Sequence, residues 1–382
     1  MNPKLMYYAK YLSFHLSVLN SDDEIVRSTA RHSLELHMTK RKVRLAEGQE
    51  KSFAGYAMDD SGNIIKASKV NWTKSQWIHL QAMCKRENIE LGKGMISYFY
   101  RLTVDEDLSV KLDHPKAFYS VFKQKQLEEY EKSFKEKSSQ GRTMRETDGH
   151  VDHKSSSTFL RNHNISDSLR SFVCRGRLQT LQCESLLSLY YPEAYTKSCK
   201  ICKSPSETAS HVLNGCTKFR GLYQQRHNRI VDLIYNKVKC GEKEVFKDTV
   251  LKPTMFHCTM QNFRHEHNRP DIVLVDRDIQ RVTIVEIAVP FDAHIPLCFQ
   301  NKFEKYFPLS LELSELNYCC EIIVLVIGSL GSVHSKFTSG LKKLGISHTE
   351  ANFLARHCSI SSIIGSNRVW RERCKHYVNR PG

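Results

Sequence analysis

Residues 264–306 read RHEHNRPDIVLVDRDIQRVTIVEIAVPFDAHIPLCFQNKFEKY. Two apolar, β-branched runs, at 272–275 and 282–289, predict strands, and the polar turn at 276–281 joins them as neighbours. Asp271 stands at the mouth of the first run, and Glu286 lies inside the second. A carboxylate set among valines and isoleucines is costly to bury unless it is paired or holds a metal. Further on, Lys302, Lys305 and Tyr306 share one face of a predicted helix by their i, i+3 and i, i+4 spacing. Two acids can hold a magnesium ion against phosphate oxygens, and a lysine can orient water or offset charge developing on the phosphate. These residue types point to metal-dependent phosphodiester cleavage. Taken alone, they also fit an exposed turn acid and a solvated helix face.

The flanks extend the pattern. Upstream, residues 218–238 (KFRGLYQQRHNRIVDLIYNKV) predict a long helix that carries Arg226, His227 and Asn228. His227, and His265 and His267 before Pro270, could bind phosphate or assist proton transfer, or could simply face solvent. Downstream, SLELSELNYCC is helix-like, CEIIVLVIGSLGSV is a buried strand with a glycine turn, and the last fifty residues are helical. Strand, strand, helix, strand, helix in succession is an α/β layout.

A second constellation precedes this block. Cys199, Cys202, His211 and Cys216 have the spacing Cys-x2-Cys-x8-His-x4-Cys. One tight turn supplies two thiolates, and a short helix closes the tetrahedron with a histidine and a third cysteine. Four protein ligands leave no open position, so the zinc expected here is structural. The remaining cysteines of the thirteen mostly stand isolated in apolar segments, as at Cys174, Cys183, Cys298 and Cys358. That usage fits a compartment with reduced thiols.

The N-terminal third reads differently. Residues 1–136 predict a mainly helical region with a short hairpin near 53–66, and helical patterning resumes from 72 to 136. The string AMDD within the hairpin imitates a polymerase acid pair. Tyr56 is one place too far upstream, however, and too little chain precedes it to build a polymerase, so it reads as a turn. Lys40, Arg41, Lys42 and Arg44 form a basic cluster that fits nuclear import, phosphate contact or a solvated helix end. Residues 137–158 are polar and aperiodic and predict a linker. Residues 159–220 predict basic helices, with Arg170, Arg175 and Arg177 facing phosphates or solvent, followed by the zinc knuckle. Residues 221–382 predict the α/β domain.

The chain has 382 residues, 57 Lys and Arg against 41 Asp and Glu, and a formal net charge of +16. Such a balance calls for a polyanionic partner, either nucleic acid or an acidic membrane surface. No apolar run approaches the ~18 residues of a membrane span, and a membrane surface has only the charge in its favour, so no membrane partner is expected.

In this order, the motifs resemble the C-terminal part of non-long-terminal-repeat retrotransposon proteins that use a restriction-like endonuclease. The likeness rests on RGRLQTL at 175–181, the knuckle ligands and RHN at 226–228. It continues with RPD at 269–271, VEIAVPFD at 285–292, KFEKY at 302–306 and VLVIGSLG at 324–331, covering roughly residues 160–335. The resemblance implies a PD-(D/E)xK-type fold that nicks double-stranded target DNA with magnesium in the nucleus. Asp271 and Glu286 would then be the metal-binding acids. The usual Glu-x-Lys lysine is replaced by Ala288, so Lys302 or Lys305 would be the displaced catalytic lysine, supported by Tyr306. Arg175, Arg177, Arg226 and His227 would contact nucleic acid, the DNA target or element RNA. In that family the exposed 3′ hydroxyl primes reverse transcription, but no reverse-transcriptase domain is legible here. The expectation is therefore a truncated copy, a fragment or a host-retained remnant without polymerase activity. The rival expectation is a non-catalytic DNA- or RNA-binding remnant on a dead nuclease scaffold.

Overall fold

A computed structural model describes residues 3–41, 76–93, 95, 97–105, 108–238, 244–258 and 262–378. The hairpin expected at 53–66 lies outside them, as do Lys42 and Arg44 of the basic cluster. The chain divides into two compact units, residues 1–133 and 134–382.

In the first unit, α1 (Pro3–Leu19), α2 (Glu24–Arg41) and α3 (Gln76–Arg86) precede a three-stranded antiparallel meander. Its strands are β1 (Ile89–Lys93), β2 (Tyr98–Asp105) and β3 (Leu108–Leu112), and α4 (Pro115–Lys135) follows. The helical reading of 72–136 is thus corrected at 89–112. The segment Tyr98–Leu102 is aromatic-rich and buries Tyr98, Tyr100 and Leu102 at strand spacing, which decides for a sheet. Those side chains pack with Leu12, Leu16, Trp77, Phe118 and Phe122 into one core.

The second unit is mixed α/β. Short helices α5 (Arg142–Glu146), α6 (His153–Ser156), α7 (Thr158–Arg161), α8 (Asp167–Arg177) and α9 (Glu184–Tyr190) lead into the knuckle. The long helix α10 (Arg220–Val238) follows, then β4 (Glu244–Lys247), β5 (Ile272–Asp276), β6 (Arg281–Ala288), α11 (Ile295–Glu315), β7 (Cys319–Val326), α12 (Phe337–Lys343) and α13 (His348–Val378). The sheet runs in order β4-β5-β6-β7. The first three strands form an antiparallel meander, and β7 lies parallel to β6 after the α11 crossover.

Alternation along β5 and β6 sorts the core into two layers. Ile272, Leu274, Val285 and Ile287 face Ile230, Val231 and Ile234 of α10 and Ala351, Leu354 and Cys358 of α13. Val273, Val275, Val282 and Ile284 face Tyr306, Leu309 and Leu313 of α11. Because both faces are covered, the strands read as continuous apolar runs.

The segment 137–158, expected as a linker, is folded into this unit. Asp152 N–H donates to the Val333 carbonyl at 2.8 Å, and Ser335 N–H donates to the His150 carbonyl at 2.9 Å. Thr143, Thr147, Ser155 and Ser156 of this segment are buried, while its charged residues stay at the surface. Ser156 is buried, and its Oγ accepts from Val333 N–H at 2.8 Å. A second difference is α11, which continues as one helix through Pro308 where the sequence divides into two helical patterns.

Candidate metal centre and catalytic cluster

The register of the β5–β6 hairpin pairs Ile272 with Val285, so Asp271 faces Glu286 across the next step. Side chains directly opposite in an antiparallel pair have Cβ atoms about 4.5–5.5 Å apart. Both acids lie on the face that packs against α11. Glu286 is buried at 3% exposure. Its Oε1 is ion-paired with the Lys302 ammonium in a short contact, and its Oε2 has no hydrogen-bond partner among the described residues. Burial first, and the nearby Asp271 charge second, push the Glu286 carboxyl above the usual carboxylate range, while Lys302 works in the opposite direction. An orphaned buried carboxylate oxygen beside a second carboxylate is a fit for a hard cation with oxygen ligands.

Asp271 is held from two directions. Its Oδ2 accepts the Ile287 N–H at 2.7 Å and lies 3.4 Å from His227 Nε2 on α10. That same Nε2 is 3.0 Å from the Ile287 carbonyl. Burial alone would lower the His227 pKa, but the Asp271 contact outweighs it and raises it to about 9. His227, expected at a nucleic-acid surface, therefore faces inward onto a candidate ligand.

The α11 residues separate into distinct roles. Lys302 reaches Glu286, whereas Lys305 Nζ donates to Tyr306 Oη at 3.1 Å. Tyr306 is 1% exposed, and its hydroxyl donates to the Arg269 carbonyl at 3.0 Å, fixing the strand that leads to Asp271. Attraction to Glu286 outweighs burial at Lys302 and raises its pKa, so it remains an ammonium at neutral pH. His265 Nε2 lies 3.1 Å from the Lys305 carbonyl and braces α11.

Cys199, Cys202, His211 and Cys216 meet in one place, with their ligand atoms all within 4.8 Å of one another. Cys199 N–H donates to the Ser204 carbonyl and Lys203 N–H donates to the Cys199 carbonyl, both at 2.8 Å, closing the first turn. Lys203 takes a left-handed φ of +65° to allow this. His211 opens a single wide turn, His211–Gly215, which ends at Cys216. Burial lowers the His211 pKa, favouring the neutral imidazole that binds metal. This Cys3His donor set could bind zinc.

Two expected nucleic-acid contacts are corrected. Arg177 donates to the Ser156 carbonyl at 3.0 Å and the Leu330 carbonyl at 2.9 Å, and its Nε is 3.4 Å from buried Asp292. Arg226 is 4% exposed and donates to the Leu213 carbonyl at 3.0 Å and Ser366 Oγ at 2.7 Å. Both guanidiniums are taken up by groups of the protein itself. Arg175 is exposed.

Sequence reasoning missed Asp292. Fully buried, it accepts from Leu330 N–H at 2.7 Å and Ser332 N–H at 3.2 Å, and so shapes the turn after β7. Gly328 is required beside it, because a Cβ there would come within 2.1 Å of Asp292 Oδ1. The glycines of IGSLG were the available signal.

Among the described residues no helix is long and apolar enough to cross a membrane. Compared with known proteins, the chain matches no family model and shows no detectable similarity to any curated protein.

Proposed function

We propose that the chain is a magnesium-dependent DNA endonuclease of PD-(D/E)xK type, derived from a non-long-terminal-repeat retrotransposon and acting on double-stranded DNA in the nucleus. The observation that carries this reading is the opposition of Asp271 and Glu286 with Lys302 on Glu286. The α11 helix supplies the ammonium that Ala288 cannot. The basic balance of the chain favours a phosphate-rich substrate.

Asp271 and Glu286 would hold the magnesium, which when bound supplies positive charge to the scissile phosphate. Asp271 is kept in position by His227 and the Ile287 amide. Lys302 acts as a cation rather than a base, because its pairing with Glu286 holds its proton. Its ammonium orients the attacking water and offsets charge on the phosphate. Tyr306 and Lys305 fix the helix turn from which Lys302 projects. The zinc knuckle is structural in this scheme.

The test is nicking of supercoiled plasmid with magnesium. The native chain should yield open circles, and Asp271→Ala, Glu286→Ala and Lys302→Ala should each slow nicking by about 100-fold or more. DNA binding by the native chain without any nicking would select the alternative, a non-catalytic nucleic-acid-binding remnant.

A further inference from the structure

A cavity of about 400 Å3 lies within the second unit, on α8, α9, the zinc turn and the end of α13. Three rings line it, those of Tyr195, Trp370 and Tyr377, and three cations, Arg175, Lys200 and Arg373. Lys200 sits between two zinc-ligand cysteines and stands 5.5 Å from the Tyr195 ring centroid and 5.9 Å from that of Tyr377. The Arg373 guanidinium lies 3.8 Å from the Tyr377 centroid and 5.0 Å from that of Trp370. At the wall, Glu184 is fully buried. Its Oε2 is 2.9 Å from Lys200 Nζ, and its Oε1 has no hydrogen-bond donor among the described residues.

Burying a carboxylate with one oxygen unmet is expensive and calls for a use. Here Glu184 pins the Lys200 ammonium between two rings. Arg373 is spent on Glu207, which its Nη2 meets at 2.5 Å. Among the described residues the Arg175 side chain makes one long contact, 3.5 Å to the Thr180 carbonyl, and stays at the exposed rim. The cavity therefore offers flat aromatic surfaces inside and unspent positive charge at the mouth. The volume is that of a small-ligand pocket. Duplex DNA cannot enter it, since its bases are stacked and paired, whereas a single unpaired base with its phosphate can.

We infer that this cavity holds one unpaired nucleotide of a nucleic-acid strand, its base among Tyr195, Trp370 and Tyr377 and its phosphate at Arg175 and Lys200. The inference rests on the nucleic-acid half of the proposed function and is independent of catalysis.

The test uses the full zinc-loaded chain carrying Asp271→Ala, with no added magnesium. Its binding to a fluorescent single-stranded DNA decamer, to a duplex of the same sequence and to adenosine monophosphate is measured. Tyr195→Ala should weaken single-strand binding by about tenfold, as loss of a stacking contact does, and leave duplex binding unchanged, and Arg175→Gln should weaken single-strand binding by a similar factor through loss of a phosphate contact. Tyr195→Phe should restore it. The decamer should also quench tryptophan emission, and Trp370→Phe should remove most of that quenching. Zinc content and melting temperature verify that the variants are folded. Single-strand binding that ignores Tyr195 and Arg175, or an equal loss for duplex with Tyr195→Ala, would overturn the inference. Saturation by adenosine monophosphate at the concentration that suffices for the decamer would assign the cavity to a free nucleotide and overturn the strand. Loss of nicking in the parent chain with these binding effects intact would reject the nuclease and leave the cavity standing.

Discussion

Single charged side chains in this molecule owe their roles to what surrounds them. Arg226 and His227 are adjacent, yet the first knits the wide knuckle turn to α13 and the second steadies Asp271. Residue type announced a cation near phosphate in both cases. Burial, which depends on contacts far along the chain, decided otherwise. Arg226→Ala should strand the Leu213 carbonyl and Ser366 and destabilise the fold by roughly 3 kcal/mol. Thermal melting should report that loss while the folded fraction keeps its affinity for DNA. Unchanged melting with weakened binding would instead make Arg226 a phosphate contact. His334 gives a pH dependence. It is 4% exposed, stacked on Phe299 with ring centroids 4.2 Å apart, and its Nδ1 accepts the Lys336 N–H at 3.1 Å. Burial, with help from His150 and Lys336, pulls its pKa down to about 4. An unfolded histidine titrates near 6.5, so between about 4 and 6.5 the unfolded chain binds more protons. The stability from neutral His334 is complete above that window and drains away as pH falls through it. Melting temperature followed across this range should drop more steeply for the native chain than for His334→Gln, and parallel curves would discount the residue.

At the level of elements, α10 and the succession from β5 to β7 were legible because strand and helix periodicities alternate cleanly there, whereas the short edge strand β4 was not. The candidate acids were legible too, since a glutamate inside VTIVEIAV conflicts with its surroundings. Which lysine meets Glu286 was not legible. Lys302 and Lys305 share a face, and only the docking of Tyr306, Leu309 and Leu313 against β5 and β6 aims Lys302 at the acid. The β1–β3 meander was missed because its short strands sit among helices, and the folded 137–158 segment was missed because its anchors, Ser156 Oγ on Val333 N–H and the backbone bonds to Val333 and Ser335, are made far along the chain. The knuckle spacing was readable, but its docking was not. Glu207, fully buried, receives hydrogen bonds from Arg373 and Tyr377 and so ties the knuckle to the end of α13. Cys199→Ser should release one equivalent of zinc and speed amide hydrogen exchange in the last turns of α13. Unaltered metal content would dismiss the zinc site.

For the whole molecule, the division at residue 133 has a practical outcome. The Asp271–Glu286–Lys302 cluster, the knuckle and the aromatic cavity all draw their residues from 134–382, and that span contains its own cores on both faces of the sheet. A chain consisting of residues 134–382 should fold cooperatively, hold one zinc and nick plasmid with magnesium at a rate within about threefold of the full chain when DNA is saturating. Retained zinc and a cooperative melt without nicking would place an indispensable catalytic contribution in the first unit.

The hairpin register carries a last consequence, which concerns insertions. Asp271 and Glu286 share a face because each lies a fixed number of steps from the turn at 276–281. Strand side chains alternate, so parity governs which variants can survive. Lengthening the loop at its tip keeps both acids in view of each other. A single residue added inside either strand turns the outer carboxylate toward the opposite layer, among Ile230 and Ile234 and away from Lys302. The turn is therefore free to drift in length and composition, while the strands beside it are locked to an even count.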